Sequence, residues 1–350
     1  MIAGAGMGGL VAAAAAVEAG AKVVVHEKGD RAGGSMLLSS GVVWRYRDFD
    51  RFRAECPAGD ERLQRLLHDR LDADLRWLEE LGAPVVDRST GNRDTAGVRF
   101  DTRGMTRALA ARAADVRLGD PLLSLPDGAP VVLATGGFQG DRELVRRHIT
   151  PESEHLVLRA NRWSAGDGLR MGLDAGGTLS NGMDEFYGRN LPAPPARLSE
   201  HGFVGLAQLY ARHATVESTT GERYEPRTWS EIDVVQWTAR QPRARARYVV
   251  PDAALEQRVR ERSVAEMVEV ARRAGAPVER LEGATAVDVV AGITTTLGGL
   301  RIDGSGRVAA GVFACGTDAG GISTGGYSSG LAAALVFGRI AAEAALASGS

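Results

Sequence analysis

The first 28 residues, MIAGAGMGGLVAAAAAVEAGAKVVVHEK, predict a strand, a glycine turn, a helix and a second strand in succession. An apolar strand ends at Gly4, and an alanine-rich apolar helix runs from about Leu10 to Ala19, where Gly20 ends it. The second strand, KVVVHE, ends at Glu27. Two strands joined by a helix in this way indicate an α/β fold.

Two later segments show helical patterns with clear ends. Residues 61–81 place leucines on one face of an amphipathic helix. Ser263 and Glu266 form a predicted capping box that opens another helix, which continues to about Ala274 and ends at Gly275. Between about 142 and 296, short segments rich in proline, arginine and aromatic residues replace the glycine and valine strands, which indicates a second domain.

The N-terminal turn carries the spacing G-x-G-x-x-G at Gly4, Gly6 and Gly9. In a dinucleotide-binding βαβ unit the first glycine makes the tight turn, the second lets the backbone approach a pyrophosphate, and the third lets helix and strand pack closely. Glu27 stands 18 residues after Gly9, at the end of the second strand, where it can accept hydrogen bonds from a ribose. The pattern predicts a bound dinucleotide without a 2′-phosphate.

Further glycine clusters favour FAD over a nicotinamide cofactor. Gly33, Gly34 and Gly41 follow the second strand, and two distant apolar strands end in Thr135-Gly136 and in Gly316. An extended FAD needs such backbone contacts beyond the first turn, whereas a nicotinamide domain does not. The predicted cofactor contacts are Gly4, Gly6, Met7, Gly9, Glu27, Lys28, Gly33, Gly34, Ser35, Met36, Ser40, Gly41, Ala134, Thr135, Gly136, Asp167, Gly316, Asp318, Ser329 and Leu331.

Composition excludes several other classes of protein. The 350 residues carry a net charge of −2, which gives no electrostatic case for nucleic acid. Two isolated cysteines and six scattered histidines predict neither a disulfide framework nor a metal site. The apolar N-terminus lacks the basic region of a signal peptide, so a cytoplasmic protein without a membrane partner is expected. The short first strand and the short span before Val131 suggest that segments of a longer chain are absent.

Six motifs occur in an order that resembles one flavoprotein family. They are GAGMGGL, HEKGDRAGGS, VVLATGGF, SAGDGLRMGLDAGG, TTTLGGLRID and FACGTDAGG followed by GLAAALVFGRIA. The chain resembles the FAD-binding flavoproteins that include soluble fumarate reductases and 3-ketosteroid dehydrogenases. This resemblance implies a Rossmann-like FAD-binding domain built from both chain ends, residues 1–141 and 297–350. An α+β cap inserted at 142–296 would form the substrate pocket.

The resemblance also implies a redox enzyme that acts on CH–CH groups by hydride transfer at flavin N5. Asp167 would lie near the cofactor, and Ser329 to Leu331 would face the flavin ring. No histidine stands in the GGSM segment, where covalently flavinylated relatives carry one, so the FAD is expected to be noncovalent. The implied partners are a small-molecule substrate and an electron donor or acceptor of unknown identity.

The last glycine-rich loop, GGISTGGYSSGL, bears on the substrate. The fumarate-reducing branch holds its dicarboxylate with an arginine in this loop, and none is present here. Near the expected position of its proton-delivering arginine, the charged residue is Glu231. In the ketosteroid branch a tyrosine and a glycine N–H bind the substrate carbonyl, and Tyr327 and Gly330 match them with one residue fewer between them. The chain is therefore expected to dehydrogenate or reduce beside a carbonyl of a neutral, mostly apolar compound.

Several alternatives stay open from the sequence. Tyr187 and Tyr210 in the cap are candidates for the proton-transferring residue, with Asp184, Glu185 and the weaker Glu231 as rivals. Tyr327 could instead pack against the cofactor. A carboxylate dehydrogenase that uses cap arginines such as Arg189 or Arg212 is a second possible function. A protein that binds FAD without redox turnover, as a hydratase, isomerase or scaffold, is a third.

Overall fold

The chain forms two compact units in the computed structural model, which describes residues 1–113, 115–227 and 231–349. The first unit consists of Met1–Asp141, Asn161–Glu185 and Thr295–Ser350. The second consists of Arg142–Ala160 and Phe186–Thr294.

The elements are numbered here in chain order. The strands are β1 (Ile2–Ala3), β2 (Val24–Glu27), β3 (Val42–Tyr46), β4 (Val85–Asp87), β5 (Thr95–Phe100), β6 (Asp115–Leu118), β7 (Val131–Leu133), β8 (Val157–Leu158), β9 (Phe186–Pro192), β10 (Thr215–Ser218), β11 (Arg245–Pro251), β12 (Arg258–Val259), β13 (Arg262–Ser263), β14 (Val278–Leu281), β15 (Ala284–Thr296), β16 (Arg307–Ala309) and β17 (Val312–Ala314). The helices are α1 (Met7–Glu18), α2 (Phe49–Glu55), α3 (Glu61–Glu80), α4 (Thr102–Arg112), α5 (Arg142–His148), α6 (Asp167–Asp174), α7 (Phe203–Leu206), α8 (Ile232–Ala239), α9 (Val264–Ala274) and α10 (Gly330–Ser348).

A mainly parallel sheet organises the first unit. Its strand order is β16-β17-β7-β1-β2-β6, and only β16 runs antiparallel to its neighbour. Ile2 in β1 pairs with Val132 on one side and Val25 on the other, so strands from distant parts of the chain lie together. The loops that follow β1, β7 and β17 leave the same edge of the sheet, which is where such folds bind ligands. The predicted α/β fold is confirmed.

Helix α10 covers the sheet together with α1. A Cβ on Gly338 would lie 2.8 Å from the carbonyl oxygen of Gly8, so the two helices are in close backbone contact. The helix is long and apolar enough to cross a membrane, but 56% of its most apolar window is buried inside the protein. It also packs against α3. Its apolar character is accounted for by a core position between these elements.

The second unit is built on a mixed sheet in the order β10-β11-β15-β14, with β8 and β9 also paired to β15. Helix α9 packs on this sheet through Val264, Met267, Val268 and Ala271, which are buried. The predicted capping box is present, because the Ser263 side chain accepts from the Glu266 N–H and the Glu266 side chain accepts from the Ser263 N–H. Gly275 ends the helix in a left-handed conformation, as its position predicted.

Residues 161–185 belong to the first unit, although the change in amino-acid composition near residue 142 predicted that they lie in the cap. The Asn161 N–H donates to Ser35 Oγ at 3.0 Å, and Lys28 Nζ lies 2.8 Å from Asp167 Oδ2. The Gly166 N–H donates to the Gly137 carbonyl at 2.9 Å. Composition changes near residue 142, but these hydrogen bonds hold residues 161–185 in the first unit before β9 begins.

We expect Ser263→Ala to reduce the stability of the second unit by about 1 kcal/mol, because the first turn of α9 loses its side-chain acceptor. The melting temperature of this unit should fall by a few degrees, on the order of 4 °C. Thermal unfolding followed by circular dichroism measures the change. Ser263→Asp keeps a capping acceptor and serves as the control; equal losses in both variants would contradict the capping role.

Candidate functional site

The first glycine turn has the close contacts that its spacing predicted. Gly4 adopts φ +101°, and a Cβ there would lie 2.3 Å from the Ala134 carbonyl oxygen. A Cβ on Gly9 would lie 1.9 Å from the Gly4 carbonyl oxygen. A Cβ on Gly6, in contrast, would meet no protein atom within 4 Å. The backbone at Gly6 is therefore open on the side where a cofactor would approach.

Helix α1 begins at this turn with an unshielded N-terminus. Met7 is its first residue, no side chain caps it, and its first turn contains no acidic residue. The N-terminus of a helix attracts negative charge through its exposed N–H groups and its dipole. A pyrophosphate placed at Gly6 would meet these groups, so the turn fits the predicted dinucleotide.

Glu27 has a larger structural role than the sequence indicated. Its Oε2 accepts from the Ala5 N–H at 2.7 Å and its Oε1 accepts from the Gly29 N–H at 2.6 Å, and the residue is buried. The carboxylate thus holds the first turn and the end of β2 together. Each oxygen keeps a second lone pair for a ribose hydroxyl. Trp163, which sequence analysis did not single out, lies beside it: a Cβ on Gly29 would be 2.7 Å from its ring.

The second glycine cluster lies directly against the first. The Gly33 N–H donates to the Ala5 carbonyl at 2.8 Å, and a Cβ on Gly34 would be 3.1 Å from Gly6 Cα. Ser35 accepts from Asn161, as described above, and Met36 is buried. Both glycine clusters therefore border one region of the first unit, which suits an extended cofactor.

The remaining members of this segment serve the protein itself. The Ser40 carbonyl accepts from Arg99 Nε at 3.3 Å. A Cβ on Gly41 would lie 2.2 Å from the Phe100 carbonyl oxygen, so this glycine permits close contact between backbone segments. Contacts of Ser40 and Gly41 with FAD stay predictions.

Asp318 is a buried carboxylate that holds the loop after β7. It accepts from the Thr135 N–H at 2.5 Å, from the Thr135 hydroxyl at 2.9 Å and from the Gly137 N–H at 2.9 Å. Burial raises the pKa of Asp318 above its usual range, although these hydrogen bonds oppose the shift. The Gly168 N–H donates to the Thr135 hydroxyl at 2.9 Å. Asp318 thus acts as a positioning residue, and its direct contact with FAD stays a prediction.

Two predicted residues frame this loop. Ala134 is buried and follows β7, and Gly136 has φ +96°, a conformation that favours glycine. Gly316, with φ +61°, follows β17 in the neighbouring strand position. The side chain of Lys28 is bound to Asp167, and Asp167 also accepts from Arg170 at 2.8 Å. The residues predicted at the ends of β2, β7 and β17 are therefore brought together.

The N-terminus of α10 places Tyr327 beside Gly330. The Gly330 N–H lies 3.4 Å from the Tyr327 hydroxyl oxygen, and Ser329 caps the helix by accepting from the Ala332 N–H at 3.2 Å. Gly330 is exposed and Tyr327 is half-buried. The Tyr46 hydroxyl donates to the Tyr327 carbonyl at 2.9 Å, and Trp44 makes an edge contact with the Tyr327 ring. The Gly330 N–H thus donates to the phenol oxygen at the start of α10, and the half-buried Leu331 follows.

The second unit gathers positive charge around Tyr187. The Arg189 guanidinium carbon lies 4.8 Å from the centroid of the Tyr187 ring, and Arg189 and Arg159 are both buried. Burial alone would raise the pKa of Tyr187, but the cations of Arg189, Arg159 and Arg260 outweigh it and hold the pKa below its usual value. Tyr187 is therefore a tyrosine whose hydroxyl is unusually ready to lose its proton.

Glu231 interacts with Arg189, one of the same cations. It is buried, and its Oε1 accepts from the Arg212 N–H at 3.4 Å. Burial raises the pKa of Glu231 to about 7, although Arg189 and Arg212 oppose that shift. The three residues that precede Glu231 in the TWSE segment lie outside the described residues.

The position of Tyr210 contradicts its predicted catalytic role. It is fully buried, its hydroxyl donates to Gln208 Oε1 at 2.9 Å, and its ring packs edge-on against Tyr248. Burial, the main cause, raises the pKa of Tyr210, so its proton is held more tightly than usual. Tyr210 is a core residue of the second unit.

The rival carboxylates and the cysteines are also located. Glu185 Oε2 accepts from the Gly325 N–H at 2.7 Å, in the first unit, and Asp184 is exposed there. Cys56 and Cys315 are buried, and burial raises the pKa of both thiols. Among the described residues no group of His, Cys, Asp and Glu could hold a metal ion.

Comparison with known proteins identifies the family. The FAD binding domain family matches residues 1–125 and 125–331 of this chain, most of its length, so the chain belongs to that family and is a flavoprotein. The suspected family and the FAD cofactor are thereby confirmed. A probable fumarate reductase, Ifc3, from Shewanella frigidimarina (strain NCIMB 400) is 23% identical over 234 residues, which are 52% of this chain and 39% of that relative.

Solved structures share the fold at low sequence identity. An open flavocytochrome c3 fumarate reductase superposes with a TM-score of 0.74 at 21% identity, covering 99% of this chain and 78% of that one. The 3-ketosteroid-Δ4-(5α)-dehydrogenase of Rhodococcus jostii RHA1 gives 0.71 at 19% identity, covering 98% and 95%. The 3-ketosteroid Δ1-dehydrogenase of Sterolibacterium denitrificans gives 0.72 at 16% identity, covering 99% of each chain.

Alanine substitutions at two glycines should separate cofactor binding from folding. We expect Gly6→Ala to leave the melting temperature of the FAD-free protein unchanged, because the new Cβ would enter open space. Its affinity for FAD should fall at least about tenfold, a loss of roughly 1.4 kcal/mol, because the methyl group would occupy the cofactor's approach to the backbone. Fluorescence titration of the FAD-free protein with FAD measures the affinity.

Gly9→Ala is the matched comparison. Its Cβ would meet the backbone of Gly4, so we expect the FAD-free variant to be less stable than wild type by about 1–3 kcal/mol. Its melting temperature should be lower accordingly. Equal FAD affinity in wild type and Gly6→Ala would show that the pyrophosphate does not lie at this turn.

Proposed function

We propose that the chain is an FAD-dependent oxidoreductase that removes hydrogen from, or adds it to, the carbon–carbon bond beside a substrate carbonyl group. The observation that carries this proposal is the pairing of the Tyr327 hydroxyl with the Gly330 N–H at the start of α10. Similar solved structures include a fumarate reductase and two 3-ketosteroid dehydrogenases, which act on carbon–carbon bonds.

Tyr327, supported by Gly330, would hold the carbonyl oxygen of the substrate. Loss of a proton from the carbon next to a carbonyl places negative charge on that oxygen. The Tyr327 hydroxyl can donate to that oxygen, and the Gly330 N–H at the helix N-terminus, which donates to the Tyr327 hydroxyl oxygen, makes it a stronger donor. Because the Tyr327 hydroxyl is neutral, it can strengthen its hydrogen bond to the oxygen as the charge develops while it keeps its own proton.

Tyr187 is the proposed proton-transferring residue. In the dehydrogenation direction its oxygen would take the proton from the carbon next to the carbonyl, and a carbon–carbon double bond would form as a hydride leaves the adjacent carbon. Bound FAD would supply the hydride acceptor, or the hydride donor in the reverse reaction. The arginine cations lower the pKa of Tyr187, which makes its oxygen more available for this exchange than that of an ordinary tyrosine.

The same arginines favour a second candidate, a carboxylate dehydrogenase. The loop before α10 lacks an arginine, but the second unit contains the buried Arg159 and Arg189, and Arg260 also acts on Tyr187. A guanidinium group binds a carboxylate through two parallel hydrogen bonds. The sequence analysis favoured a neutral substrate without taking Arg159 and Arg260 into account. Acidic carbonyl compounds therefore belong in any substrate screen.

We expect anaerobic mixing of the FAD-loaded protein with the correct substrate to bleach the flavin absorbance. The screen should contain cyclic ketones, keto acids and dicarboxylates, each also tested with an artificial electron acceptor. Bleaching by ketones alone supports the neutral-substrate proposal, and bleaching by acids alone supports the carboxylate dehydrogenase. No bleaching or turnover with any compound would instead favour an FAD-binding protein without redox turnover.

Tyr327→Phe tests the carbonyl-binding pair. With the identified substrate, we expect the rate of flavin reduction to fall about 10²- to 10³-fold because the hydroxyl donor to the oxyanion is lost. FAD content should be unchanged. Tyr46→Phe is the matched control, since the Tyr46 hydroxyl supports the loop through the Tyr327 carbonyl. If Tyr327→Phe reduces flavin as fast as wild type, the residue only packs in the site.

Arg189→Gln tests the second candidate. If the substrate binds through a carboxylate, we expect KM for acids to rise about 10²-fold, corresponding to roughly 3 kcal/mol for a charged hydrogen-bonded pair. KM for neutral ketones should change far less. Steady-state kinetics on the two compound classes measures the difference, and equal changes for both would contradict a carboxylate-binding role.

A further inference from the structure

The proposed reaction leaves one buried charged group unexplained, Glu231. It precedes α8 with a left-handed backbone, φ 56°, which non-glycine residues adopt at some cost. Only 8% of the residue is exposed, and its Oε2 has no hydrogen-bond partner among the described residues. A buried carboxylate is costly unless nearby positive charge offsets its loss of solvent. The reason for keeping it must lie in its surroundings.

The charges that face Glu231 come from four different elements. Arg189 lies on β9, Arg212 in the turn 211–213, and Arg260 at the turn between β12 and β13, where it has a left-handed φ of 58°. Asp233, on the same helix, opposes ionisation of Glu231. The tyrosines whose pKa Glu231 raises are Tyr210, Tyr224 and Tyr248.

Two of these cations also face Tyr187. Arg189 lies over the Tyr187 ring, Arg260 acts on both Tyr187 and Glu231, and Arg159 completes the set around the tyrosine. Arg189 is only 6% exposed, so little water screens its field. Arg260 is exposed, so Arg189 is the buried cation that Glu231 and Tyr187 share. Two titratable groups that share a buried cation cannot change charge independently.

We propose that Glu231, Arg189 and Tyr187 form one coupled unit in which the charge on Glu231 sets how readily the Tyr187 hydroxyl gives up its proton. Glu231 is thus a positioning residue that acts through shared arginines. The functional consequence, control of the pH range of turnover, rests on the proposed role of Tyr187 as the proton-transferring group. The coupling itself does not.

The sign of the coupling follows from the charges. When Glu231 is ionised, it cancels part of the field of Arg189 and Arg260, which stabilises a Tyr187 phenolate less. When Glu231 is protonated, the arginines act on Tyr187 in full. Because the pKa of Glu231 is about 7, its charge changes across neutral pH. Rising pH therefore ionises Glu231, and its negative charge then opposes the ionisation of Tyr187.

Ultraviolet difference titration of the FAD-loaded protein, without substrate, tests the coupling. The titration of Tyr187 is the part of the tyrosinate signal that is missing in Tyr187→Phe. We expect Glu231→Gln to lower the apparent pKa of Tyr187 by about one unit, and Arg189→Gln to raise it by a similar amount, the size of a single nearby charge. Glu256→Gln removes an exposed acid of the same unit and should titrate as wild type.

Two results would overturn the coupling. One is an unchanged Tyr187 titration in both Glu231→Gln and Arg189→Gln; the other is a shift in Glu256→Gln as large as that in Glu231→Gln. Should Glu231→Gln fail to fold, Arg189→Gln carries the test, with Glu231→Asp expected to keep the wild-type titration.

The pH profile of flavin reduction separates this proposal from the proposed function. A Tyr187 shift in the titration with a matching shift of the rate profile supports both. The titration shift without any effect of Tyr187→Phe on the rate keeps the coupling and rejects Tyr187 as the proton-transferring residue. Loss of rate in Tyr187→Phe without a titration shift in Glu231→Gln rejects the coupling and keeps Tyr187 as the proton-transferring residue.

Discussion

The carboxylate of Asp318 joins two strand ends that lie 183 residues apart in the chain. It follows β17, and it binds the N–H groups of Thr135 and Gly137 after the adjacent strand β7. Without it, buried N–H groups of that loop would lose their acceptor, a loss of about 1–3 kcal/mol for each unsatisfied group. The backbone of the predicted FAD site depends on this one side chain, because the loops leaving β1, β7 and β17 share a sheet edge.

The parts of the fold that sequence analysis predicted are those specified by local spacing. Gly4, Gly6 and Gly9 lie within one strand–turn–helix unit, and each glycine fits its predicted contact or open space. Ser263 and Glu266 likewise form a cap because three residues of helix bring them together. Glu27 was predicted from the same spacing, but its bonds to two backbone N–H groups depend on how the turn folds against β2.

The cluster of charged residues around Tyr187 in the second unit could not be predicted from local sequence spacing. Arg159, Tyr187, Glu231 and Arg260 come from separate elements that tertiary structure rather than sequence spacing brings together. Strands β8 and β9 both pair with β15, whereas Glu231 precedes α8 and Arg260 lies in the turn of the separate β12–β13 sheet. Tyr187 and Tyr210 looked equivalent in sequence, because both stand in aromatic cap segments. The structure separates them by environment: Tyr210 meets Gln208 and Tyr248 in the core, whereas Tyr187 lies beneath a buried arginine.

The two units carry different kinds of polar group, and the difference suits the reaction that we propose. Dehydrogenation beside a carbonyl requires one site that stabilises charge on oxygen without giving up a proton, and another that exchanges a proton. In the proposed reaction the Tyr327 hydroxyl, to which the Gly330 N–H donates, serves the first task as a neutral donor. The cations around Tyr187 suit the second, because they bring the pKa of a phenol toward neutral pH. Glu231, whose pKa burial raises to about 7, would adjust the second task in that proposal through the arginines that it shares with Tyr187.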